Sequence, residues 1–62
     1  MKPKYAINNE VKLKSGHVVL INGIDQEGYG KYFYDYQSDN GIGRIPEADI
    51  LEVIKEDYYA EE

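Results

Sequence analysis

The chain has 62 residues, no cysteine and a net charge of −5, from seven Lys/Arg against twelve Asp/Glu. That length allows one domain with a stability of roughly 3–9 kcal/mol, and without cysteine there is no disulfide or thiolate metal site to add to it. The charge weighs against tight binding to nucleic-acid phosphates or anionic membrane, and a composition that is 42% hydrophobic and 13% aromatic excludes a disordered chain.

Residues 1–8, MKPKYAIN, read as a basic arm or a short first strand. In NNEVKLKSG, Val11 and Leu13 alternate with Glu10, Lys12 and Lys14, the period-two pattern of a half-buried strand that ends at a Ser15-Gly16 turn. HVVLINGI follows as a central strand covered on both faces, with Gly23 marking a bulge or bend. Its run Val18-Val19-Leu20-Ile21 is the longest apolar stretch and is too short for a membrane span. The two N-terminal lysines are followed by no apolar segment of the signal-peptide kind. The absence of cysteine fits a reducing cytoplasm.

DQEGYG, residues 25–30, reads as a loop with two acids and two glycines. KYFYDYQ resumes alternation, with Tyr32, Tyr34 and Tyr36 on one face and Lys31, Phe33 and Asp35 on the other. SDNG is a hairpin turn, where Asn40-Gly41 suits the positive φ values of type I′. IGRI is a short strand, and PEAD is one helical turn with Pro46 in its first position. ILEVIKEDYYAEE admits two readings. As a strand, Ile50, Glu52 and Ile54 share a face against Leu51 and Val53. As a helix from Pro46, Ile50, Ile54 and Tyr58 line up at four-residue spacing. The last residues, AEE, are an acidic, frayed end.

Five short strands, glycine-bearing turns and one helical turn before the last strand describe an all-β, five-stranded small barrel with a 3₁₀ turn near 46–49. The alternative is an α+β fold with a C-terminal helix from Pro46. GRIPEADILEVI resembles the last hairpin, 3₁₀ turn and closing strand of an SH3-like barrel. Residues 9–54 are similar to the KOW and Tudor branches of that fold, in YFYDYQSDNG and IPEADIL. The resemblance implies a barrel over 9–55, an arm over 1–8 and an acidic tail over 56–62. The proline-peptide ligand of signalling SH3 domains does not follow. YDY at 34–36 ends with only nine residues between it and Pro46 instead of opening the domain, and the chain has no tryptophan for an aromatic groove.

No constellation for catalysis emerges, and no cofactor or metal is implied. His17 is the only histidine and reads as a turn-flanking residue. Residues 25–28 lack the spacing of a calcium loop, and the glycines at 23, 28 and 30 read as turn glycines rather than a phosphate cradle. The unusual feature is seven tyrosines, at 5, 29, 32, 34, 36, 58 and 59. Some must fill the interior. The rest, beside carboxylates, suit a protein-binding patch. The expected contact residues are Tyr29, Tyr34 and Tyr36, with Asp25, Glu27, Asp35 and Asp39 as an acidic rim.

The expected function is therefore a small non-enzymatic cytoplasmic module that binds one protein. Its alternative is an acidic inhibitor, encoded by a phage or mobile element, whose carboxylates imitate phosphates. A third reading is an obligate oligomer paired through edge strands or the tyrosine face. A direct nucleic-acid reader is disfavoured by charge, despite the local cluster of Lys2, Lys4, Lys12 and Lys14.

Overall fold

The computed structural model describes residues 2–60. Strands β1 (Glu10–Leu13), β2 (Val18–Glu27), β3 (Lys31–Ser38), β4 (Gly41–Pro46) and β5 (Ile50–Lys55) form one antiparallel sheet in the order β4-β3-β2-β1-β5, with a single 3₁₀ turn at Glu47–Asp49. The expected all-β class, five strands and one 3₁₀ turn are all present. The expected barrel is left open, because the sheet does not close and β4 and β5 are its two edges. Residues 50–55 are a strand, which removes the helical alternative.

Alternation sets the inner face. Val11 and Leu13 from β1, Val19 and Ile21 from β2, Tyr34 from β3 and Ile50 from β5 bury together. Tyr5, Ile24, Tyr32, Tyr36 and Ile45 close around them. The expected bulge at Gly23 is real: Ile21 pairs with Tyr36 and Gly23 with Asp35, which leaves Asn22 as an extra residue. One extra residue reverses the alternation. Beyond it Ile24 turns inward opposite Tyr34, while Asp25 and Glu27 turn outward opposite Phe33 and Lys31.

The first half of the supposed loop at 25–30 is strand. Pairing runs on to Glu27–Lys31, an opposite-charge pair, and only Gly28-Tyr29-Gly30 turns the chain. Both glycines have positive φ, 62° and 70°, so the reversal needs no longer loop.

The next turn also differs from expectation. Ser38 pairs with Gly41, so the loop is Asp39-Asn40, and neither residue has positive φ. It is not type I′. Gly41, at φ 125°, alone takes the positive-φ position. Gly41→Val is therefore expected to cost about 1–3 kcal/mol. In a domain this small that lowers the melting temperature by ~4–8 °C per kcal/mol. An unchanged melting temperature would show that the turn relaxes freely.

Pro46 is extended, at φ −72° and ψ 155°, and precedes the 3₁₀ turn rather than opening it. In β5 the expected division of faces is overturned. Leu13 pairs with Ile50, Lys12 with Glu52, Val11 with Val53 and Glu10 with Lys55. Leu51 and Ile54 are thus extra residues at two irregularities. Ile50 shares its face with Val53, not with Ile54, because each extra residue resets the alternation.

The arm is not a strand. Tyr5 packs edge-to-face on Tyr34, with ring centroids 5.5 Å apart. Asn8 (φ 76°) and buried Asn9 fasten both ends of the chain. The Asn8 N–H donates to the Ile21 carbonyl at 2.8 Å, and the Tyr58 N–H donates to the Asn8 carbonyl at 2.8 Å. The Asn9 side chain accepts from the Ala6 N–H at 3.0 Å and donates to the Glu56 carbonyl. The tail is therefore docked at Tyr58. The acidic end at 61–62 lies outside the described residues.

Candidate functional site

The structure separates the seven residues expected to form one patch. Tyr34 is 0% exposed and belongs to the core. Its hydroxyl donates to Glu47 Oε2 at 2.5 Å and accepts from the Tyr5 N–H at 3.3 Å, while the Lys4 N–H also donates to Glu47 Oε2, at 3.2 Å. Burial, then the hydrogen bond to the Glu47 carboxylate, push the Tyr34 phenol up to about 12. This residue cannot contact a partner without unfolding. The sequence marked it as a surface candidate because a run of alternating tyrosines does not say where along the strand the core ends.

Tyr29 is fully exposed at the tip of the β2–β3 hairpin. Tyr36 and Asp39 lie toward the other end of the eight-residue β3, which spans roughly 25 Å. There they line one shallow groove with His17 and Asn40. His17 Nδ1 is 2.9 Å from Ser15 Oγ in an exposed turn, the arrangement of a turn-flanking residue. Tyr36 belongs to the inner face, where its ring covers Gly43: a Cβ built on Gly43 would come within 2.5 Å of the Tyr36 hydroxyl oxygen.

Two of the four rim carboxylates are already partnered. Arg44, the only arginine, crosses the outer face of three strands. Its Nε donates to Asp35 Oδ1 at 2.9 Å, and its Nη2 lies 3.0 Å from Asp25 Oδ2. The Arg44 hydrogen bond holds the Asp35 carboxyl below its ordinary range, and the same bond raises the guanidinium. Gly23 leaves the space: a Cβ there would come within 2.7 Å of Asp35 Oδ2. Only Glu27 and Asp39 of the expected rim lie outside this cluster.

A different surface draws the exposed apolar residues together. On the outer face, Leu20 is buried yet stands apart from the core cluster. Around it Val18 (44% exposed), Ile42 (85%) and Tyr58 (46%) line one groove of about 490 Å³. Glu10 and Asp39 also line it, and no lysine or arginine does. Tyr59 packs edge-to-face on Tyr58 at 5.3 Å between ring centroids. Pairing explains the convergence. Lys12 stands opposite Val18, Glu10 opposite Leu20, Leu20 opposite Gln37 and Gln37 opposite Ile42, so four strands place one row on one face. The Asn8–Tyr58 hydrogen bond brings the tail to the same place. The sequence hinted at this only through the two-sided apolar run at 18–21, because β-sheet neighbours across β3 are not adjacent in the chain.

A further groove, of about 620 Å³, lies between the arm and the 3₁₀ turn, lined by Tyr5, Tyr32, Phe33 and Pro46 with Lys4 and Lys31. Among the described residues, no group of three or more His, Asp or Glu side chains is placed to hold a metal ion. No helix among them is long and apolar enough to cross a membrane.

Comparisons with family models, curated proteins and solved structures returned no match.

Proposed function

We propose that this chain is a small non-enzymatic module that binds another protein through the outer-face groove of β2, β3 and β4. One observation carries the reading: Val18, Ile42 and Tyr58 are exposed together around buried Leu20, with Glu10 and Asp39 at the rim. Exposed apolar side chains scattered singly need no explanation, whereas a group around a concave surface marks an interaction site. An SH3-like barrel branch is supported by the meander β2-β3-β4, the 3₁₀ turn before β5 and the return of β5 beside β1. A reducing cytoplasm suits a chain without cysteine. The phosphate-mimic alternative is weakened by Arg44, which pairs with two of the carboxylates it would use and offsets one of their two charges.

Capture from a host extract, followed by mass spectrometry, would supply the partner, and variants then test the surface. Ile42→Ser is expected to weaken binding by about 2 kcal/mol or more, roughly thirtyfold, while the fold persists because Ile42 is on the surface. Tyr29→Ala, at the distant hairpin tip, is expected to bind normally. The opposite pattern would move the site to the tip. Loss of binding only when Glu27 and Asp39 are neutralised, with steep salt dependence, would favour the mimic.

A further inference from the structure

We infer that the chain's own arm, residues 2–6, is an internal ligand, and that a partner protein displaces it with an extended segment of the same chemistry. That segment carries an aromatic residue whose own N–H and the N–H before it are both free to donate. This second site lies at the opposite end of β3 from the outer-face groove and goes beyond the reading above.

The arm is seated as a bound peptide is. It adds no strand to the sheet. Two successive N–H groups meet side-chain acceptors: Lys4 N–H donates to Glu47 Oε2 at 3.2 Å, and Tyr5 N–H donates to the Tyr34 hydroxyl at 3.3 Å. The Tyr5 ring packs edge-to-face on Tyr34. Its hydroxyl comes only to 3.5 Å from the Ile50 carbonyl, too long for a strong bond. The fold therefore recognises an aromatic ring and two donors. No lysine ammonium takes part in these contacts, so charge is not what selects the segment. Proline at either position lacks the N–H and is excluded there.

The hold is weak before Asn8 and strong from it. Among the described residues, the three hydrogen bonds from the arm to the sheet and the 3₁₀ turn each have a side chain on one side. All three lie at or beyond the ordinary upper limit of about 3.2 Å. At Asn8 the anchor becomes backbone to backbone, at 2.8 Å to the Ile21 carbonyl. Ala6 and Ile7 between them are exposed, and the chain turns at Asn8, where φ is 76°.

Local unfolding of residues 2–6 thus leaves β1 and its ladder in place. It uncovers Tyr34, which is 0% exposed while the arm is docked. A bared aromatic edge and an acceptor without its donor favour a replacement of the same kind. There is also room for one to arrive. The groove of about 620 Å³ runs beside the arm, walled by Tyr32, Phe33 and Pro46. An incoming segment lodges there first, and Tyr5 then yields its place.

The test uses the full chain, isotope-labelled, and a capped peptide with the sequence of residues 2–7 added in trans. Saturable shifts are expected at Tyr34, Glu47 and Ile50, while the chain's own Lys4 and Tyr5 amides move toward unfolded values. One altered peptide has alanine for its tyrosine, and another is N-methylated at the amides that match Lys4 and Tyr5. Each is expected to bind at least about tenfold more weakly. The internal arm competes, so the apparent affinity is scaled by the fraction of chains whose arm is open. Tyr5→Ala in the chain is therefore expected to bind the unaltered peptide at least about tenfold more tightly. Lys4→Pro removes one donor, keeps the ring, and decides the matter if Tyr5→Ala fails to fold; about threefold tighter binding is expected. In the free parent, the Tyr5 amide should exchange at least about tenfold faster than the Asn8 amide. No saturable binding, or shifts confined to Val18 and Ile42, overturns the proposal. Unchanged affinity in the folded arm variants does so too, because arm and peptide then do not share a seat. Equal binding of either altered peptide overturns the recognition assigned to the ring or to the donors. Tyr5 exchange as slow as that of Asn8 makes the arm a fixed part of the core and overturns its displacement.

Discussion

Tyr34→Ala is expected to remove about a third or more of the domain's stability at 25 °C. Tyr34 is one of the largest fully buried side chains, and it holds three things at once. Its ring fills the core between Ile24 and Ile45, its pairing neighbours on β2 and β4. Its edge receives Tyr5 from the arm. Its hydroxyl joins the arm to Glu47 of the 3₁₀ turn. Truncating a buried aromatic to alanine costs about 3–5 kcal/mol. The whole domain has only roughly 3–9 kcal/mol. Tyr34→Phe keeps the ring and removes the hydroxyl, which deprives the Tyr5 N–H of its acceptor and leaves Glu47 Oε2 with the Lys4 N–H as donor. That change is expected to cost about 1–3 kcal/mol. Urea unfolding followed by circular dichroism would order the three proteins. A Tyr34→Ala domain within about 1 kcal/mol of the parent would mean that the core collapses around the lost ring.

Alkaline pH is expected to remove stability through the same residue. Burial and the Glu47 carboxylate raise the Tyr34 phenol to about 12 in the folded protein. The unfolded chain has the ordinary value of about 10. Above pH 10 the unfolded state therefore releases this proton first, and it binds fewer protons than the native state. Stability from this group is whole below pH ~10 and drains as pH rises toward ~12, by about 2–3 kcal/mol in total. Urea midpoints measured at pH 9 and at pH 11.5 would show the fall. In Tyr34→Phe this component of the slope should vanish. An equal slope in both proteins would place the alkaline sensitivity elsewhere.

The fold was largely readable because its signals are local. Val11 and Leu13 alternate, Gly23 interrupts an apolar run, and Pro46 precedes a short polar turn. What could not be read depends on residues that meet across strands. The extra residues at Asn22, Leu51 and Ile54 change which side chains face inward, and no composition rule places a bulge to the residue. Asp25 and Asp35 look like free surface charge until the register lays Arg44 over both. Tyr34 and Tyr36 share a face in the sequence and in the structure, yet one is the centre of the core and the other lies toward its end. The groove was the least legible part. Its members come from β1, β2, β3, β4 and the tail, in separate runs of the chain at 10, 18–20, 37–42 and 58.

The unequal edges also limit how far copies of this protein can assemble. A continuous fibril grows because each added unit offers a fresh edge like the one it consumed. Here the far side of every unit is β5, whose irregular register makes a poor template. If crowding forces two β4 strands together, each uses the other's only regular edge, and a third copy finds none. Regular pairing through β4 would therefore stop at two copies, which makes this sheet a poor seed for a fibril.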